Sequence, residues 1–217
     1  MMTRKASRAS IRRPTVFEVT EISVESPLRD GADAWTYRRA IFTSLDRATA
    51  WVRERFARVG SETADYPIHY WTVDELVVDT DLGGVRTWYF DEDGSPRGER
   101  SYAVERLWGG RDPSTCRYKR GDLVGFVDCD KYRIGVVLYR PPSPADARRL
   151  GDIVTLGDDR YLVGTVGLDA PSDADRYDHE HVTEPSIFPA PADVDPELRR
   201  ALEIRNLAYG LLPAPGS

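Results

Sequence analysis

Lysine is nearly missing from this chain. Of the 30 basic residues, all but Lys5, Lys119 and Lys131 are arginine. With plentiful alanine, aspartate and proline, that bias reads as the mark of a GC-rich bacterial genome and carries no function. Cysteine is just as scarce, with Cys116 and Cys129 alone. Two cysteines do not make the disulfide framework of a secreted domain, so the expectation is reduced thiols in a cytoplasmic protein. No apolar run approaches the ~20 residues that a membrane-spanning helix needs. The basic start "MMTRKASRASIRR" is followed by no apolar leader core. A membrane partner is therefore not expected.

Catalytic signatures are missing too. There is no Gly-x-Ser-x-Gly elbow and no glycine-rich phosphate loop; "DLGGV" at 81–85 reads as a hairpin turn. Cys129 lies between Asp128 and Asp130, whose charges oppose thiolate formation. Carboxylate pairs such as Glu18 and Glu21 or Asp158 and Asp159 arise readily among 36 acidic residues. These absences weigh against an enzyme.

What is present suits a soluble globular chain. Its 217 residues are 41% apolar and 30% charged, and a chain of this length buries about 70% of its unfolded surface. Charge is unevenly spread. Residues 1–14 carry Arg4, Lys5, Arg8, Arg12 and Arg13 and no acid, so the remainder is more acidic than the chain's net −6, and the expectation for them is a flexible arm.

Patterning predicts an α+β unit over 15–107. "TVFEVTEISV" and "WTYRRAIF" read as strands. Ser44 then caps a helix over 45–58, in which Leu45, Ala48, Trp51, Val52 and Phe56 recur at three- and four-residue steps. "IHYWTVDELVVD" is a third strand, in which His69 is a packing residue. "VRTWYF" is a fourth, closed by a "DEDG" turn. "SYAVERLWGGRDPST", 101–115, reads as a linker. The unit resembles uncharacterised bacterial α+β domains.

The second half repeats itself. "YKRGDLVGFVDCDKYRIGVV" begins at 118 and "RLGDIVTLGDDRYLVGTV" at 149. Each opens Gly-Asp-aliphatic-Val, turns on aspartates, and returns with Gly135 or Gly164 inside the second strand. That is hairpin chemistry used twice, and glycine within a strand marks a bend or a close backbone approach. The first copy, with Lys119 and Arg120, Gly121-Asp122, Val124, a turn and Gly135-Val136-Val137, resembles the KOW motif of small SH3-like barrels. The resemblance implies a five-stranded barrel over 116–168 whose loops bind RNA or protein. The binding candidates are Lys119, Arg120, Asp130, Lys131, Tyr132, Arg133 and Tyr161. Aspartates at 128, 130, 158 and 159 weaken the nucleic-acid reading, because phosphate contacts dominate that affinity.

Beyond 168 the expectation is an acidic loop, an extended segment "PSIFPAPA" and a C-terminal helix over 193–212, with Asp195 as cap and Pro196 in its first turn. Within "RYDHEHVTE", His179 and His181 would point the same way from an extended strand. With Asp178 they form a candidate Zn²⁺ site.

The leading expectation is a non-catalytic module that binds a protein partner. Two others stand beside it: nucleic-acid binding through the basic arm and Arg117–Arg120, and a metal-dependent enzyme using the His-x-His pair.

Overall fold

The computed structural model describes residues 14–25, 28–59, 66–78, 86–101, 116–139, 160–168 and 177–211. In chain order these form β1 (Thr15–Val24), β2 (Ala32–Phe42), α1 (Leu45–Val59), β3 (Ile68–Val77), β4 (Arg86–Asp91), β5 (Pro96–Ser101), β6 (Leu123–Asp128), β7 (Lys131–Tyr139), β8 (Arg160–Val166), β9 (Tyr177–Thr183), a 3-10 turn (Glu184–Ser186), β10 (Phe188–Pro189) and α2 (Pro196–Leu211). Among the described residues no helix is long and apolar enough to cross a membrane.

Local chemistry sets the helix ends. Ser44 Oγ accepts the Arg47 N–H at 3.4 Å, which marks the start of α1. Asp195 Oδ1 accepts the N–H groups of Glu197 and Leu198 at 2.9 and 3.0 Å, satisfying donors the first turn of α2 leaves open. The β6–β7 hairpin turns on Cys129 and Asp130, at φ +44° and +63°. Positive φ at both central positions matches the twist of the flanking strands. The expected close approach in the return strands is real. A Cβ on Gly135 would stand 2.5 Å from Val163 Cγ1, and one on Gly164 would stand 2.8 Å from Leu138 Cδ1.

The expected α+β unit followed by a separate barrel is not what forms. Among the described residues ten antiparallel strands join in one open sheet along the path β10-β6-β7-β2-β1-β3-β4-β5, with β8 on β7 and β9 on β8. The join is β2 to β7, where Ala32 pairs with Tyr132 and Asp33 with Lys131. Among the described residues the strands β6, β7 and β8 do not close on themselves over 116–168, because the second neighbour of β8 is β9 and not β6. The further partner of β6 is β10, twenty residues past the expected limit. The strand β9 itself lies where an acidic loop was expected. Residues 149–159, the outgoing half of the second predicted hairpin, lie outside the described residues, as does the linker at 102–115. The return half is β8.

Burial explains why the two halves meet. Ile22, Val24, Ala34 and Tyr70 from the first half share one buried cluster with Tyr132, Ile134, Leu138 and Leu162 from the second, closed by Leu198 and Leu202 of α2. A second cluster, with Val124, Phe126, Tyr161, Val163 and Ile187, sits under β6–β9. A third lies between α1 and the other face of the first strands, around Val19, Val52, Trp71 and Phe90.

Candidate functional site

The residues singled out by sequence scatter. Tyr132 and Tyr161 are wholly buried. Tyr161 OH donates to Glu184 Oε2 at 2.5 Å and accepts from the Tyr118 N–H at 3.3 Å. Lys131 is paired with Asp33. Arg133 Nε lies 3.3 Å from Asp30 Oδ1. Arg120 ties its turn to α2 by donating to the side chain and carbonyl of Asn206 at 3.1 and 2.9 Å. The backbone of Lys119 donates to Asp122 at 2.7 Å, and the Asp130 carbonyl accepts the Ala34 N–H at 2.9 Å. The charged side chains of Arg120, Lys131 and Arg133 therefore have partners within the protein, whereas Lys119 and Asp130 are engaged here through their backbone.

The histidine pair does share a face of β9. The rings of His179 and His181 are 6.2 Å apart and nearly perpendicular. Asp178 falls on the opposite face by strand alternation, and its carboxylate accepts the His179 N–H at 2.7 Å. Among the described residues no group of three or more His, Cys, Asp or Glu comes together to hold a metal ion.

A different surface stands out, on β2. Its residues from Trp35 to Arg39 are all exposed. Strands in a packed sheet normally bury one face. Trp35 and Tyr37, each 42% exposed, stack with ring planes 6° apart and centroids at 6.4 Å. The Arg39 guanidinium lies 4.5 Å from the Tyr37 ring centre. Three large side chains thus form a ladder on one face of β2, beyond its short pairing with β7. Trp35 is further held by donating to Glu25 Oε1 at 3.2 Å.

Beneath the ladder is a charged anchor. Glu21 of β1 is buried; it accepts from Arg39 Nε at 2.5 Å and lies 3.0 Å from His69 Nε2. Burial pushes this carboxyl up, but the hydrogen bonds from His69 and Arg39 and their charges outweigh it, so its pKa falls below the usual value. Trp71 meets the His69 ring edge-on at 5.3 Å. His69 therefore packs, as the sequence suggests, and also fixes the carboxylate that orients Arg39.

Among the described residues, no strand pairs with the outer side of the same segment. The Asp33 carbonyl accepts the Glu25 N–H, toward β1, while the Ala34 N–H donates to Asp130, away from β1. Alternation then turns the peptide groups of Thr36 and Arg38 outward. Among the described residues nothing pairs with them. The register with β1 shifts between Val19 and Thr20, so Arg39 is the extra residue of a bulge and Ala40 turns back to Val19. Sequence reading found the strand but not the site, since Trp-x-Tyr-x-Arg alternates in the same way whether its face is buried or bare.

The chain matches no family model, and comparison with curated proteins and with solved structures likewise gives no match.

Proposed function

We propose that the protein is a non-catalytic binding module that takes an extended polypeptide along the outer edge of β2. The observation that carries this reading is the pair of outward-facing peptide groups at Thr36 and Arg38, flanked by the exposed rings of Trp35 and Tyr37. An added strand would gain its affinity from main-chain hydrogen bonds and its specificity from alternate side chains. The aromatic rings offer contact area at small entropic cost, since each has only two rotatable side-chain bonds. Arg39, held by Glu21, adds a fixed cation beside them.

A selection from a library of random peptides, on protein immobilised at low density, tests it. Thr36→Pro is the control variant. Proline on an edge strand is tolerated where its missing N–H faces outward, so the β1 ladder survives and the binding edge does not. The expected result is enrichment of extended, β-prone peptides on the native protein and none on the variant. Failure to enrich, or enrichment that ignores the proline, overturns the reading.

A further inference from the structure

We propose that the polypeptide taken by this edge is a second copy of the same chain, docked antiparallel about a two-fold axis at Tyr37. The inference rests on the edge-binding reading above and names its partner.

The open segment is symmetric about that residue. It begins after Ala34, whose N–H is already given to Asp130. It ends at Arg39, where the bulge turns the next residue back to β1. In an antiparallel pair, residues whose peptide groups face outward must oppose one another. Thr36 of one copy therefore faces Arg38 of the other, and Tyr37 faces Tyr37. In this register Trp35 lies opposite the second copy's Arg39, twice, by symmetry. The guanidinium that already covers its own Tyr37 ring would then meet a second aromatic face.

Other registers fail on the geometry. Thr36 opposite Thr36 would set Arg38 against Ala34, whose N–H is occupied. Arg38 opposite Arg38 would place like charges face to face, which destabilises a strand pair. It would also need Ala40 to face outward, whereas Ala40 pairs with Val19. The bulge serves the same end. Bulged strands bend, and each copy would bend away where the other's β6–β7 turn approaches Ala34. A contact of one self-complementary patch on each copy is what a two-fold dimer requires. An interface this short belongs at the weak end of specific association.

Sedimentation equilibrium over a concentration series reads the outcome. The native chain is expected to rise from 24.5 kDa toward twice that mass. Thr36→Pro is expected to hold the monomer mass. Thr36→Glu, which sets a carboxylate against the second copy's Arg38, is expected to shift the curve to lower concentration, an effect mere unfolding would not produce. In a Cys129→Ser background, Tyr37→Cys is expected to cross-link under mild oxidation, because directly opposed residues bring their Cβ atoms to about 5 Å. Trp35→Cys is expected not to, since it faces position 39. The cross-link keeps the test decisive if the proline variant fails to fold.

A native chain that stays monomeric throughout overturns the dimer while leaving the peptide selection to judge the edge. A dimer that persists in folded Thr36→Pro, or a cross-link through position 35 and not 37, also overturns it.

Discussion

Arg97 Nε of β5 donates to the carbonyl of Pro185 at 2.8 Å, joining the first half of the sheet to the turn that delivers β10. The same guanidinium donates to Asp91 at 2.7 Å and to the Ile187 carbonyl at 3.4 Å, and lies 4.4 Å from the Phe188 ring centre. Cutting this mostly buried arginine back takes its donors from all three acceptors, although the Ile187 carbonyl keeps the Tyr118 hydroxyl at 3.3 Å and the Asp91 carboxylate keeps Ser95. Arg97→Met keeps the stem and removes the donors. It is expected to cost about 2–3 kcal/mol in urea unfolding, the scale of lost hydrogen bonds involving a charged group. Arg97→Lys should recover only part, because lysine lacks the planar fork. A loss near that of an ordinary surface substitution, within about 0.5 kcal/mol, would show that this clasp contributes nothing.

Asp74 of β3 carries a charge the fold would rather not hold. Burial pushes its carboxyl up from the ordinary 3.8 and the nearby Glu18 adds to this, while the Thr87 hydroxyl, donating at 2.5 Å, opposes them. With the folded pKa raised, the folded state holds the proton more tightly than the unfolded state. The resulting stability is present below 3.8 and is lost as pH rises through the higher folded value. Asp74→Asn keeps an acceptor for Thr87 without the charge. It is expected to melt above the native protein at pH 7, with the gap closing as the acid is titrated below 3.8. Thermal melts across pH decide it; a native protein as stable as the variant at neutral pH would refute the assignment.

The local elements were readable because their signals are local. Ser44 and Asp195 announce two helix starts within a few residues of the first apolar stripe. Gly121-Asp122, alternating apolar residues and a short turn announce the β6–β7 hairpin. The join between Ala32 and Tyr132 has no such signal, since two paired residues across so much intervening sequence leave no periodicity. β5 reads "PRGERS" and β9 "YDHEHVT". Their polar composition hides them, because Arg97 stabilises its strand by clasping carbonyls and β9 buries only Val182 and Thr183 within its side-chain-described part. The ladder on β2 was hidden for the converse reason: Trp35 and Tyr37 look like core residues until their burial is known.

Three buried phenols should resist alkali. Burial pushes Tyr132 up to about 12, with the charge of Asp30 adding to it. It pushes Tyr70 and Tyr161 further, Tyr161 also through its bond to Glu184. Because each folded pKa is raised, the stability they contribute is present below the ordinary 10.0 and is lost as pH climbs toward and past 12. Ultraviolet absorbance across pH is expected to show a late phenolate step that coincides with loss of circular dichroism. Tyr161→Phe should lower stability near neutral pH, since Glu184 and the Tyr118 N–H lose their shared partner, yet lessen the fall toward alkali, since that phenol no longer ionises. A single reversible step for all the tyrosines would contradict this.

The two thiols should separate cleanly by reactivity. Cys129 is exposed at the tip of the β6–β7 turn and Cys116 is buried. Only the thiolate attacks an aromatic disulfide reagent. A hydrogen bond with Asp128 and the charge of that carboxylate push the Cys129 thiol up, as the flanking sequence predicts. The folded protein is therefore expected to release one equivalent slowly at neutral pH, and the second only in denaturant. Asp128→Asn removes the nearest negative charge, so more thiolate forms and the first phase should quicken. Well above the thiol pKa both proteins hold the thiolate, and their rates should converge. Two equally fast equivalents from folded protein would place Cys116 at the surface. An Asp128→Asn rate unchanged at neutral pH would remove the carboxylate as the cause of the slow reaction.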